Sequence, residues 1–333
     1  MPSSEINTQI VPVTVDNFIR AETDWVFRNV IQQQGAFGTF HHFRELAPLD
    51  KQAVPRVNRD TLYSAAIFDL DAAPVTITLP DSGNRFMTMM IIDEDHYVYE
   101  VVYGAGNYTF SRDQVGTRYA VVALRTFVDP ANSKDVEQVH ALQDAVKISQ
   151  KNPGRFELPN WDQETQQRLR DALKTLGATL PDLRHAFGRE KEVDPVRHLI
   201  ATATAWGGNP DKEAIYLNVT PTMNDGKTIH QLNIRDVPVD AFWSMTVYNR
   251  EGYLEPNGLN LHNLNSITAK KDSDGSIHVQ FGGCDGKMPN CLPIMPGWNY
   301  MVRLYRPRAE ILDGRWKFPE AVPRRTASRE EAA

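Results

Sequence analysis

The chain has 333 residues, 41% of them hydrophobic and 23% charged, with a formal charge of −6. That balance excludes disordered, fibrous and collagen-like classes, and it leaves no net positive field for a nucleic-acid backbone. The length exceeds what one core normally fills, so two packed regions are expected.

Taken in chain order, Met1 to Asn17 lacks the basic start and apolar core of a secretion signal. Asp16 to Gln34 places Phe18, Ile19, Trp25, Val26, Val30 and Ile31 at helical spacing, with Gly35 as a stop. From Leu62 the texture changes to short β-branched, aromatic and Met runs: Leu62 to Phe68, Val75 to Leu79, Phe86 to Ile92, Tyr97 to Val102 and Tyr119 to Val128. With turn chemistry at Pro80 to Asn84, these predict an antiparallel meander. Helical signals follow: Asn132 and Ser133 ahead of Val136, Val139, Leu142 and Val146; Asn160 ahead of Leu169, Leu173 and Leu176, with Gly177 at an αL cap; and Asp194-Pro195 ahead of Val196, Leu199, Ile200 and Ala203, with Gly207 after them. Strand texture resumes at Ala214 to Val219, Thr228 to Ile234, Phe242 to Tyr248, Ser276 to Phe281 and Asn299 to Arg306. Asp225-Gly226 and Asp274-Gly275 supply hairpin-type turns.

No window approaches ~18 uninterrupted apolar residues, so no membrane span is expected. Cys284 and Cys291 are the only cysteines. Without a signal peptide the expected compartment is the reducing cytoplasm, which argues against a structural disulfide, although their shared loop leaves oxidation open. Two cysteines are also too few for a structural zinc site.

The expected fold is α+β. It comprises an antiparallel β-rich N-terminal region with helices (1–130), a helical connecting segment (131–209), a C-terminal jelly-roll-like β-sandwich (210–322) and a disordered tail (323–333). Homo-oligomerisation is left open.

Three clusters carry candidate chemistry. His41-His42-Phe43-Arg44 with Arg56 to Tyr63 gathers imidazoles, guanidiniums, an amide, a carboxylate and a phenol at the mouth of a strand. That suits binding or acid–base work, and equally a strand-entry turn closed by Asn58 and Asp60. Asp93-Glu94-Asp95-His96-Tyr97 places carboxylates beside a His and also reads as a hairpin turn; no familiar metal spacing occurs. Along Phe242 to Asn249 the alternation sets Trp243, Met245 and Val247 against Ser244, Thr246 and Tyr248. In the last strand Asn299, Met301, Arg303 and Tyr305 oppose Tyr300, Val302 and Leu304. An inward Arg303 needs an anion, either a substrate carboxylate or Asp60. Asn257, Asn260, Asn263 and Asn265 read most simply as loop residues. No P-loop, G-x-G-x-x-G or G-x-S-x-G motif is present, which disfavours nucleotide cofactors and ordinary serine hydrolases and leaves any cofactor unassigned.

His42-Phe43-Arg44, Asn58 to Ser64, Gly116-Thr117-Arg118-Tyr119 and Arg125-Thr126 resemble the family catalogued as domain of unknown function 1254. Ala205 to Pro210, Phe242-Trp243-Ser244, Val247-Tyr248-Asn249 and Val302 to Tyr305 resemble domain of unknown function 1214. The resemblance implies an α+β N-terminal part and a jelly-roll-like C-terminal sandwich, and no activity. The chain departs from the pattern where Cys291 replaces a tryptophan often found before Leu-Pro.

The expected function is binding of a small polar or carboxylate-bearing molecule in a cleft between the two β regions, with catalysis by Asp60, His42 and His96. Asn58, Arg59, Tyr63, Trp243, Tyr248 and Arg303 would bind substrate, with no metal. The alternative is a non-catalytic sugar or metabolite module built on Trp243, Tyr248 and the Asn-rich loop.

Overall fold

The Asp16–Gln34 periodicity folds as a helix that packs Phe18, Val30 and Ile31 inward as marked, but exposes Trp25 and buries polar residues that the periodicity did not mark. The computed structural model describes residues 9–52 and 54–324. The chain forms two units, Met1–Glu45 with Thr61–Asp211, and Leu46–Asp60 with Lys212–Ala333. The three helices expected as a connecting segment fall in the first unit, and a stretch from the N-terminal half falls in the second.

In chain order the first unit contains β1 (Ile10–Val11), α1 (Phe18–Gln34), β2 (His41–His42), β3 (Thr61–Asp69), β4 (Val75–Leu79), β5 (Met87–Asp93), β6 (Val98–Tyr103), β7 (Gly106–Phe110), α2 (Arg112–Val115), β8 (Tyr119–Phe127), α3 (Ser133–Asp144), β9 (Lys147–Gln150), β10 (Asn160–Trp161), α4 (Gln163–Gly177) and α5 (Pro195–Thr204). The expected meander is corrected. One sheet runs β2-β3-β8-β5-β6 and a second runs β7-β4-β9. Local turn signals locate hairpins but say nothing about a distant strand such as β8 inserting between β3 and β5.

Every residue of β5 is buried. Met87, Met89 and Ile91 pack with Val75, Ile77 and Phe110 of the second sheet, whereas Met90 and Ile92 pack with Phe27 of α1. A strand covered on both faces reads as a continuous apolar run, and each such side chain contributes ~1.5–3 kcal/mol by burial.

Helix α1 packs Phe18 and Ala21 against Leu173 of α4 and Ile200 and Ala203 of α5. Between those contacts and Phe27 it buries Glu22, Thr23 and Asp24, while Trp25 is 40% exposed. The stop at Gly35 is as expected, with φ 65° and its N–H donating to the Ile31 carbonyl. Asn132 caps α3, accepting from the Lys134 and Asp135 amides, and Asp194 caps α5. Helix α4 is capped by Asp162, not Asn160. Gly177 closes α4 without an αL conformation; a Cβ there would lie 2.7 Å from Thr204 Cγ2, so this glycine permits close approach of α4 and α5.

The second unit contains β11 (Ala214–Val219), β12 (His230–Ile234), β13 (Trp243–Tyr248), β14 (Asn263–Asn265), β15 (Ile277–Phe281), β16 (Cys291–Leu292), β17 (Asn299–Tyr305), α6 (Ala309–Leu312) and β18 (Val322–Pro323). Two four-stranded sheets, β11-β17-β13-β14 and β16-β15-β12-β18, share one core. Trp243, Met245, Val247, Tyr300, Val302 and Leu304 enter that core from the first sheet, and Leu232, Ile234, Ile277, Val279 and Phe281 from the second. The alternation read from the sequence is therefore the alternation of the fold.

The question left open for the cysteines is answered against the compartment argument: Cys284 and Cys291 are disulfide-bonded. Gly282 and Gly283, both at positive φ, turn the chain so that β16 returns parallel to β15. A compartment argument could not weigh that geometry. The tail does not begin at Pro323, which pairs with His230; residues 325–333 lie outside the described residues. No helix among the described residues is long and apolar enough to cross a membrane.

Candidate functional site

In the second unit the polar face of β13, β14 and β17 is occupied by residues 56–60. Asp60 is fully buried, and its Oδ1 accepts from Asn263 Nδ2 at 2.8 Å and Asn265 Nδ2 at 3.1 Å. Asp60 Oδ2 and Ser244 Oγ are both buried without a well-formed hydrogen bond, yet the Ser244 hydroxyl is near enough to favour the ionised carboxyl. Burial raises the Asp60 pKa, opposed by Arg303 and these three side chains. Arg303, 3% exposed, donates to Thr246 Oγ1, Tyr248 Oη and the Arg56 carbonyl at 2.8–3.0 Å. Tyr248 Oη in turn donates to the Val57 carbonyl. Burial alone would disfavour the guanidinium charge; the Tyr248 and Tyr305 phenols and Asp60 outweigh it. Asn58 accepts from the Asp60 amide and donates to Tyr305 Oη, and Arg59 donates to the Ala47 carbonyl.

Asp60, Asn58, Tyr248 and Arg303 thus come together as expected, but around one another. Their hydrogen bonds fasten residues 56–60 to the sheet; Arg303 donates directly to neutral oxygens, and the Asp60 carboxyl favours its charge through space. Two of the Asn residues read as loop formers are partners of Asp60. Trp243 lies on the opposite face of β13, 3% exposed and edge-on to Phe318 in the core, so its expected role as a ligand wall is corrected.

His42, Tyr63 and His96 belong to the first unit. His42 is half-buried, with Nδ1 2.7 Å from Ser64 Oγ; burial and Arg44 lower its pKa. Tyr63 lies under the Arg125 guanidinium, 5.5 Å from its ring centre. His96 is buried in a left-handed turn with φ 62°. The Gly207 amide donates to its Nε2 at 2.8 Å, so the proton resides on Nδ1 and is donated to Thr202 Oγ1. Burial followed by His198 holds its pKa well below the ordinary value. A neutral ring with both nitrogens engaged by the backbone and a core Thr has no proton to exchange with a ligand, so the catalytic role expected for His96 is corrected.

The sequence reading missed a cavity of about 360 Å³ in the first unit. Its lining brings Arg20 and Asp24 of α1, Glu94 of the turn after β5, Arg112 of α2, Gly116 to Tyr119, Glu157 to Pro159 and Trp161 into one place. Asp24 is 1% exposed. Trp161 Nε1 donates to Asp24 Oδ2 at 2.8 Å, and Oδ1 has no hydrogen-bond partner. Burial, reinforced by Glu94, pushes the Asp24 carboxyl up to about 7, against the Trp161 bond and Arg20. Glu94 is also raised, chiefly by burial, although its Oε2 accepts from the Tyr119 amide at 2.9 Å and Arg20 lies 3.9 Å from Oε1. Arg118 stacks on Tyr119, 4.8 Å from the ring centre. Among the described residues no three His, Cys, Asp or Glu side chains converge as a metal site. The chemistry available is proton transfer from a buried carboxyl, beside a second carboxyl, arginines and two aromatic rings.

The sequence signals for this cavity were partial. Glu94 and Gly116-Thr117-Arg118-Tyr119 stood out as motifs, whereas Asp24 is one acid in the middle of an amphipathic helix, and only the packing around α1 turns it inward.

No curated protein sequence matches the chain. Among solved structures, the VPA0106 protein from Vibrio parahaemolyticus is similar at 17% identity with a TM-score of 0.73, covering 94% of this chain and 100% of that one. An uncharacterised protein from Burkholderia cenocepacia is similar at 11% identity with a TM-score of 0.53, covering 92% and 88%. These likenesses concern the fold. The family described as "Protein of unknown function (DUF1254)" matches residues 37–150, and "Protein of unknown function (DUF1214)" matches residues 218–309. On these two matches, one in each half of its length, the chain belongs to the paired DUF1254 and DUF1214 families.

Proposed function

We propose that the protein is an enzyme that acts by general acid–base chemistry on a small polar molecule held in the Asp24 cavity of the first unit. The observation that carries this reading is Asp24 Oδ1, a carboxyl oxygen with no hydrogen-bond partner, closed off from solvent in a residue that lines the cavity, so that a ligand reaches it by a small displacement of the lining. Leaving such an atom unpaired costs ~1–3 kcal/mol, a cost that a bound hydroxyl or carbonyl would remove. The Trp161 N–H holds Oδ2 as an acceptor and leaves Oδ1 to carry the proton. With a pKa near 7, Asp24 is an acid suited to neutral pH, and Glu94 beside it is the candidate base. The second unit, whose two four-stranded sheets are compatible with a jelly roll, keeps its Asp60 and Arg303 network for internal use in this reading.

The test is a thermal-shift screen of the full chain against polar metabolites, followed by turnover assays on any stabilising compound. Asp24→Asn is expected to lower kcat ~100-fold or more, as loss of a general acid does, and to remove an inflection near pH 7 in the wild-type rate profile. Unchanged turnover in that variant would overturn the proposal. Stabilisation without turnover, equal in wild type and Asp24→Asn, would point to a non-catalytic binding module.

A further inference from the structure

The Asp24 cavity has a neighbour. A second depression of about 380 Å³ is lined by Asp69, Asp71, Ala72, Asn152, Gly154 and Arg155, and also by Arg118, which lines both. The divide between the two is a row of ion pairs. Arg118 Nη2 lies 2.9 Å from Asp69 Oδ2, Arg112 Nε 3.2 Å from Asp71 Oδ1, and Arg155 Nε 2.8 Å from Glu157 Oε2. In the second and third pairs one partner lines each depression. The outer depression is also tightly built: Gly154 has φ 72°, and a Cβ there would lie 2.4 Å from Asp69 Oδ2.

We propose that the two depressions are one binding surface for an elongated, uncharged polyhydroxyl molecule of at least two linked sugar-like rings, the first at Asp24 and the second beyond Arg118. This rests on the reading of Asp24 given above and names its substrate class. The inner lining carries three arginines and three carboxylates, and the outer one two of each. A net charge on the ligand would meet both signs equally. Hydroxyl groups suit such a surface because each can donate to a carboxylate and accept from a guanidinium at once. Exposed ion pairs are worth only ~0–1 kcal/mol, so Arg112 with Asp71 and Arg155 with Glu157 can turn toward a ligand at small cost. Half-buried Trp161 adds ring surface for the apolar face of a sugar, whereas the Tyr119 ring is buried beneath Arg118.

The experiment titrates the full chain with α-1,4- and β-1,4-linked glucose oligomers of one to four units, followed by calorimetry, on wild type, Ala72→Trp and Asp24→Asn. Ala72→Trp places bulk in the outer depression and removes none of the ion pairs. In wild type the affinity for one of the two series should rise ~10-fold or more from one unit to two. Ala72→Trp should abolish that rise and leave the single unit's affinity within ~2-fold, and Asp24→Asn should weaken every length. Affinity independent of length, or a rise that survives Ala72→Trp, overturns the extended site. If no oligomer binds but a small charged metabolite binds wild type and not Asp24→Asn, the substrate class is wrong and the Asp24 site stands. If Asp24→Asn binds all lengths as wild type does, the Asp24 reading itself fails.

Discussion

Asp24 and Asp93 are both buried carboxyls pushed up to about 7, in each case first by burial. Between the ordinary carboxyl range and about 7 the folded chain holds protons that the unfolded chain has released. The contribution of these groups to stability is therefore greatest in acid, falls as pH rises through that window and levels off above it. Asp24→Asn should be more stable than wild type at pH 8 by about 2 kcal/mol, below the ceiling of ~4 kcal/mol because the new amide leaves an N–H group unpaired. Denaturant unfolding at pH 5 and pH 8 checks this: the variant's advantage should vanish at pH 5. Asp60 is also raised by burial, but its Oδ1 is held by two amides. Asp60→Ala leaves Arg303 in place with a buried charge and frees the Asn263 and Asn265 amides, so a loss of about 3 kcal/mol is expected, with Asp60→Asn milder. The same unfolding measurement decides it, and no change on Asp60→Ala would show that the network is not needed for the fold. At this scale alternation put Tyr248 with Ser244 and Thr246 on one face of β13 and Arg303 with Asn299 and Tyr305 on one face of β17, while Asp60 was only one of two possible anions for an inward Arg303. The sequence placed His96 in a site because a His beside acids looks reactive, and only the Gly207 and Thr202 contacts reveal a satisfied core ring.

At the scale of elements, caps were the most legible feature. Asn132 and Asp194 each accept from two backbone amides at a helix start, a local geometry that needs nothing distant. Gly177 was misread because its reason is not local. A glycine near a helix end suggests a left-handed cap, but here it stands where α4 meets Thr204 of α5. Gly177→Ala gains helix propensity of ~1 kcal/mol and meets Thr204 Cγ2 at 2.7 Å. The expected net effect is a loss of ~1–2 kcal/mol, with Thr204→Ser in the same chain recovering part of it. Thermal unfolding of the single and double variants tests this, and a stabilised Gly177→Ala would mean that the glycine is a helix defect with no packing role. The same blindness to partners explains α1: periodicity marked Trp25 and Val26, whereas packing from two sides turned Glu22, Thr23 and Asp24 inward.

For the molecule as a whole, the Cys284–Cys291 bond closes a short loop ahead of β16. Chain-entropy arguments assign such a loop about 2 kcal/mol. Cys284→Ser with Cys291→Ser should lower stability by that amount, and thiol titration of the unreduced protein should find no free thiol; two titratable thiols with unchanged stability would contradict the pairing. What the sequence determined by itself is what short-range physics encodes: the α+β class, most strand and helix cores, the caps at Gly35, Asn132 and Asp194, and the two faces of β13 and β17, because steric preference and alternation act over a few residues. What only the tertiary structure decided depends on which distant segments meet. The insertion of β8 between β3 and β5, the placing of residues 46–60 with the second unit, the closed Asp60 network and the cavity around Asp24 all join residues far apart in the chain. Burial and charge partners, which set whether a carboxyl is a fastener or an acid, exist only once those segments are in contact.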